Sequence, residues 1–314
     1  MEQKQTGKNG VLRSLIGEPT PAKSSGLTYS LAAILSVVVA FLFLMVVGAL
    51  GLAKDGYEET DWYLHCGFAL TPFTILVIAV LIFRWTGWSV RAELRSQVCP
   101  ARYFVIAILL QCGLLCLSQL NIEFLTWLEK FGYEDTPILL PSMDGVGFIG
   151  VLFTVAVLPA VFEELLFRGL LLKGMKSFGS VGAVLINGAM FALYHQNPAQ
   201  TMYQFCCGVA FAFVALRAGS ILPTVVSHFL NNALIIILTK YGVADFQGGV
   251  LVAVLIVSIL SLIASLVWLF FFDKGKNVTE GKAEKTEKKH FFGYASVGII
   301  MYALTWLLVL LTGF

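Results

Sequence analysis

Apolar residues fall along this chain in long unbroken blocks separated by short polar links. They do not alternate at the period of a half-buried strand, and few blocks show the one-sided stripe of a surface helix. A block of about 20 apolar residues is what a helix needs to cross a hydrocarbon core of about 30 Å. On that measure the pattern predicts spans at residues 29–53, 62–83, 103–120, 145–168, 178–195, 201–216, 221–239, 248–272 and 291–313. The fifth and sixth are short and hold polar residues. In lipid every backbone N–H and C=O has to be satisfied within the segment, so the spans are expected to be helices. The expected fold class is all-α, a polytopic transmembrane helical bundle of about 8–9 spans. Residues 1–25 read as a mobile cytoplasmic N-terminal tail and 26–314 as the transmembrane domain. The piece 121–136 is partly amphipathic, either lying in the interface or forming the end of the third span.

Composition supports this reading and removes other classes. Of the 314 residues 58% are hydrophobic and only 13% charged, with a mean hydropathy of +0.84. A water-soluble domain carries about 25% charged residues. The net charge is +2, with no basic stripe of the kind that binds nucleic acid. The six cysteines form no CxxC pair and read as small buried thiols in helices. The N-terminal stretch is too polar, and too long ahead of its first apolar run, for a simple signal peptide. Basic residues gather in the tail (Lys4, Lys8, Arg13, Lys23), the link 84–102 (Arg84, Arg91, Arg95, Arg102) and the link 273–290, whereas 54–61 and 121–144 are acidic. The positive-inside rule places the first three in the cytoplasm. The expected location is a cell membrane, crossed many times, with a bacterial plasma membrane as the setting. Membrane lipids are the expected surroundings.

Three clusters of polar residues interrupt the apolar blocks: EELLFR at 163–168, FALYH at 191–195 and HFLNN at 228–232. An ionisable side chain at bilayer depth costs at least about 2.5–3.5 kcal/mol. The simplest way to lessen that cost is for the clusters to face one another around a shared polar chamber. Glu164 and Arg168 are four apart, on one helix face, and can pair. Glu163 lies about 100° round the helix and can point into the chamber. His228 and Asn232 share a face, and His195 precedes the breaker Asn197-Pro198. A carboxylate and an imidazole can deprotonate a water for attack on a carbonyl, and one Glu with two His also matches a water-bearing zinc site. A satisfied polar network that only locks helix packing is the non-catalytic reading. A secondary transporter, with polar sites near the midplane, is a further class. Neither HExxH, GxSxG nor GxxxxGK[ST] occurs.

The ordered set EExxxR, FxxxH and HxxxN, here Glu163-Glu164-L-L-F-Arg168, Phe191-A-L-Y-His195 and His228-F-L-N-Asn232, resembles the CPBP family of intramembrane proteases. These are relatives of the type II CAAX prenyl endopeptidase, also called Abi or bacteriocin-processing proteins. The resemblance covers about 145–240. It implies a peptidase that hydrolyses a membrane-associated peptide, prenylated or of leader type. It implies catalytic roles for Glu163 and His195 in activating water, and for His228 and Asn232 in binding the substrate carbonyl and stabilising the oxyanion. Glu164 and Arg168 become a supporting pair. The family is labelled both metalloprotease and glutamate-type protease, so zinc held by Glu163, His195 and His228 and a metal-free mechanism both stand. A scaffold, immunity or regulatory protein on the same fold is the non-enzymatic alternative.

Overall fold

The computed structural model describes residues 11–88, 98–135, 138–243, 246–273 and 285–314. All regular structure among these residues is helical. The main helices are α1 (Pro21–Ala49), α2 (Asp61–Thr86), α3 (Arg102–Glu129), α4 (Gly147–Gly174), α5 (Gly179–Tyr194), α6 (Pro198–Ala218), α7 (Leu222–Lys240), α8 (Gly248–Phe272) and α9 (Lys285–Thr312). Eight are long and apolar enough to cross a membrane. The exception is α5, whose 16 residues make a rod of about 24 Å.

Local chemistry fixes several ends. The side chain of Thr20 caps α1 by accepting the Lys23 N–H at 3.3 Å, and Pro21 occupies the first turn, where its missing N–H costs nothing. Because of that start signal, which a hydropathy window does not register, α1 begins ahead of residue 29. Part of the expected tail is also structured. Val11–Ile16 is a short helix. Arg13 Nε donates to the Trp85 carbonyl at 3.3 Å, and Trp85 Nε1 donates to the Gly17 carbonyl at 3.2 Å. Residues 1–10 of the tail lie outside the described residues, as do 89–97 and 274–284 of the basic links. The amphipathic piece continues α3 through a 3-10 turn at Leu115–Leu117. No proline or glycine separates the two, so nothing stops the helix. Likewise α4 runs past residue 168 to Gly174.

The surface is inverted relative to a water-soluble protein. Phe41, Leu42 and Met45 on α1, Val252, Ile256 and Leu260 on α8, and Ile300, Leu304 and Leu308 on α9 all point outward and are exposed. In water such a face promotes aggregation; against lipid tails it is the natural exterior. Helix count, length and surface are those of a multi-pass membrane protein. Among the cysteines, Cys99 and Cys207 are buried as expected, but Cys66 and Cys112 are exposed on outward faces. Apolarity sets a residue's depth, not the helix side on which it sits.

The central core joins Tyr29, Ile75, Ile78, Leu110, Phe167 and Phe191 with their neighbours. α9 lies along α1, α8 along α3, and α5 along α6. The α1–α9 seam is tight because small residues line it. Ser30 Oγ donates to the Tyr294 carbonyl at 2.6 Å and accepts the Gly298 N–H at 3.0 Å. A Cβ on Gly298 would stand 2.9 Å from Ser30 Cα. Gly298→Leu is therefore expected to overpack the seam at a cost of about 1–3 kcal/mol, seen as a lower Tm of the detergent-purified chain. An unchanged Tm would mean that α9 does not dock there.

Candidate active site

The three polar clusters come from α4, the end of α5 and the first half of α7. α4 is α-helical over Leu158–Glu164 and π-helical on either side, at Leu152–Val157 and Leu165–Leu171. A π-turn widens the helix and shifts the facing of the side chains that follow, and such turns occur frequently at functional sites. Here they bracket the turn that carries Glu163 and Glu164. α5 stops short of a full crossing, and the chain reverses at Gln196, a non-glycine residue with φ 53°, before Asn197 caps the next turn by accepting the Ala199 N–H at 2.8 Å. This early reversal leaves His195 at the depth of Glu163. A full-length fifth span would have put it near the opposite surface from His228.

The structure brings Glu163, His195 and His228 together. Glu163 Oε2 lies 3.9 Å from His195 Nε2 and 3.9 Å from His228 Nε2. That oxygen is buried and makes no hydrogen bond. The other imidazole nitrogens are committed. His228 Nδ1 is 3.0 Å from Glu164 Oε1, and His195 Nδ1 is 2.8 Å from the Phe191 carbonyl. A carboxylate and a carbonyl only accept, so the proton of each neutral ring is assigned to Nδ1. Both Nε2 lone pairs then face Glu163. Three acceptors converging across one gap form a cradle for a donor.

Glu164 and Arg168 hold this arrangement from behind. Both are fully buried, with Arg168 Nη1 donating to Glu164 Oε1 at 2.7 Å and Nη2 to the Gly208 carbonyl at 3.0 Å. The guanidinium lies over the Phe191, Phe211 and Phe167 rings, at 4.6, 5.3 and 5.7 Å from their centroids. Phe191 and Phe211 also flank His228. This aromatic shell keeps the pair dry and strengthens its electrostatics. α6 comes close enough to serve Arg168 because glycine meets glycine: a Cβ on Gly208 would stand 2.8 Å from Gly188 Cα.

Asn232 is placed differently. Its Nδ2 donates to the Val155 carbonyl, in the first π-turn, at 3.2 Å, and its Oδ1 accepts from Asn231 Nδ2 at 3.1 Å. It ties α7 to α4. Asn231, not singled out from sequence, is the hub of a buried network. Its Oδ1 accepts from Gln111 Nε2 at 2.7 Å and from the Tyr203 hydroxyl at 2.8 Å. Gln111, alone among apolar neighbours in the third span, is the one sequence signal that could have pointed to this network.

The donor types suit zinc, but the spacing does not. Bonds of about 2.0–2.1 Å in a tetrahedral site put ligand atoms about 3.4 Å apart, and the cradle is about half an ångström wider. Among the described residues no His, Cys, Asp and Glu group has metal-holding geometry. A water at hydrogen-bond distances of about 2.8 Å spans 3.9 Å with an angle near 90°.

Residues 145–234 match a family model described as type II CAAX prenyl endopeptidase Rce1-like. No curated protein and no solved structure matches the chain. The matched stretch begins just before α4 and ends within α7, so it contains all of α5 and α6 and every member of the three clusters. Over residues 145–234, which hold all three clusters, this bundle is thus similar to the Rce1-like type II CAAX prenyl endopeptidases.

Proposed function

We propose that the chain is an intramembrane endopeptidase that cleaves a membrane-associated peptide of the prenylated CAAX class with water activated by Glu163 and His195. The observation that carries this reading is the convergence of one unpartnered carboxylate oxygen with two imidazole lone pairs at 3.9 Å. A water in the cradle donates one hydrogen to Glu163 and the other to a histidine Nε2, which turns its lone pair outward. As its oxygen attacks the scissile carbonyl, Glu163 takes the proton and the C=O electron pair moves onto oxygen. When the C–N bond breaks, Glu163-H returns that proton to the leaving amine. The glutamate ends the cycle ionised, as it began. His228, held by Glu164, keeps the water and the carboxylate in register, and the Arg168 pair keeps Glu164 ionised. Asn232 fixes α7 against α4.

Substrate access fits the same helices. An apolar recess lined by Val157, Ala160, Val161, Val225, Val226 and Phe229 opens between α4 and α7. Ala160 is one turn from Glu163 and Val225 one turn from His228, so a chain in the recess lies beside the cradle. No charged side chain lines it, which suits a lipidated segment arriving from the bilayer.

The test is cleavage by the purified full chain in lipid nanodiscs of a fluorogenic peptide that ends in a farnesylated cysteine followed by three residues. The spacing argument makes carboxylate–imidazole chemistry the expected route, so activity should survive exhaustive chelation. Loss of activity on chelation, restored by stoichiometric zinc, would instead assign the cradle to a metal. An intact peptide after prolonged incubation would count against the peptidase itself.

A further inference from the structure

Each helix that brings an imidazole to Glu163 is also pinned to α4 by an asparagine amide. On α5, Asn187, Phe191 and His195 are spaced four apart and share one face. Asn187 is fully buried, and its Nδ2 donates to the Phe167 carbonyl at 2.9 Å, one turn beyond Glu163. On α7, one turn after His228, Asn232 Nδ2 donates to the Val155 carbonyl. Both acceptors lie in π-turns, Val155 in Leu152–Val157 and Phe167 in Leu165–Leu171. The two bonds grip α4 on either side of the turn that carries Glu163.

The backbone of α4 has a use for these donors. Pro159 has no N–H, so the Val155 carbonyl lacks its α-helical donor four residues on. The Phe167 carbonyl takes the Leu172 N–H, five residues on instead of four, and its second lone pair takes Asn187. A side chain inserted at the hydrogen-bond ladder is one of the few causes of a local break in a helix. Neither amide is placed for packing alone. Asn187 Oδ1 is buried and, among the described residues, has no hydrogen-bond partner. Such an acceptor costs about 1–3 kcal/mol, and leucine branches at the same carbon without it. The Asn232 amide is oriented by its neighbour. Asn231 Oδ1 accepts from Gln111 Nε2 and from the Tyr203 hydroxyl, which turns Asn231 Nδ2 toward Asn232 Oδ1 and leaves Asn232 Nδ2 for Val155. Gln111 lies outside residues 145–234, so α3 supports a site that the matched stretch does not hold by itself.

We propose that Asn187 and Asn231 are positioning residues for the hydrolysis: Asn187 directly, and Asn231 through Asn232, lock the π-turns of α4 and so set Glu163 against His195 and His228. The proposal rests on the Glu163 reading above. Neither residue takes a proton or touches substrate. Without its donor a π-turn relaxes, and relaxation by one residue turns a helix by about 100° and shifts it by about 1.5 Å. That is enough to open the 3.9 Å gaps of the cradle.

The experiment compares wild type, Asn187→Leu, Asn231→Asp and Glu163→Gln in nanodiscs on the farnesylated reporter peptide. Asn231→Asp keeps the acceptor for Gln111 and Tyr203 but has no N–H for Asn232. Rates are taken well below Tm and per mole of folded chain. Both asparagine variants are expected to lose about 100-fold in kcat, the cost of a misplacement of about 1 Å, with KM within about twofold. Where Asn187→Leu or Asn231→Asp yields no folded chain, Asn187→Ala or Asn231→Ala is read in its place. Full kcat in either arm overturns the proposal, and a lowered Tm beside it would make the amide a packing lock only. A KM raised more than about fivefold overturns it as well, by placing the amides at the substrate. Fast asparagine variants beside an inactive Glu163→Gln remove this inference and leave the Glu163 reading standing. A Glu163→Gln chain as fast as wild type, or a wild type that leaves the reporter intact, removes both.

Discussion

Glu163→Gln is expected to abolish peptide cleavage while leaving the chain folded. Glutamine keeps the size and shape of the side chain but cannot take a proton from water. A general base contributes about 10²–10⁴-fold to a rate, and here the same group also returns the proton to the leaving amine. A loss of about 10³-fold or more in kcat follows. The fold should tolerate the change, since Glu163 Oε2 makes no hydrogen bond that glutamine would break, and an amide can donate to either Nε2 that faces it. Initial rates on the reporter peptide, with Tm measured alongside, read both halves of the statement. A fall of less than about tenfold would remove Glu163 from the centre of the chemistry.

The largest effect on stability is expected at Arg168. Its side chain is fully buried and neutralises Glu164, which is equally buried. Arg168→Met leaves the buried Glu164 carboxylate without its cation, with only the His228 Nδ1 contact at 3.0 Å among its described side-chain hydrogen bonds, and breaking a buried pair from one side costs about 3–5 kcal/mol. The variant should show a much lower Tm and poor recovery from detergent. The double variant Glu164→Gln/Arg168→Met removes both charges and should regain most of the lost stability, because a neutral pair of similar volume costs far less. It should not regain activity. His228 Nδ1 would lose the carboxylate that fixes its tautomer, and its Nε2 would no longer be held toward Glu163. A double variant no more stable than the single one would mean that the charge pair is not what holds α4, α6 and α7 together.

How much could be read beforehand differs by layer. The helical bundle was legible because lipid imposes one demand, about 20 apolar residues closed on their own hydrogen bonds, and composition alone reports it. Helix ends were less so. Thr20-Pro21 starts α1 through capping, a signal carried by two residues inside what looked like a polar tail. The Glu164–Arg168 pairing was legible from spacing, since four residues return to one helix face. The depth of His195 was not. It depends on α5 being short and on the reversal at Gln196, while loop charges report only which side a link occupies. The π-turns of α4 were invisible, because Leu, Phe and Val read the same whether the helix turns in 3.6 residues or wider. Asn231 and Asn232 sit side by side in HFLNN, and only the facing of α7 decides that the first joins Gln111 and Tyr203 and the second Val155.

Everything rests on a carboxylate from α4 and imidazoles from α5 and α7 enclosing one water-sized space. A side-chain-resolved density map of the full chain in nanodiscs measures this directly. The account predicts Glu163 Oε2 close to 3.9 Å from both His195 Nε2 and His228 Nε2, with a single solvent peak in the space between them, bonded to the carboxylate and to one imidazole. A map in which any of the three side chains turns to lipid, or in which His195 and His228 sit at different depths, would contradict it.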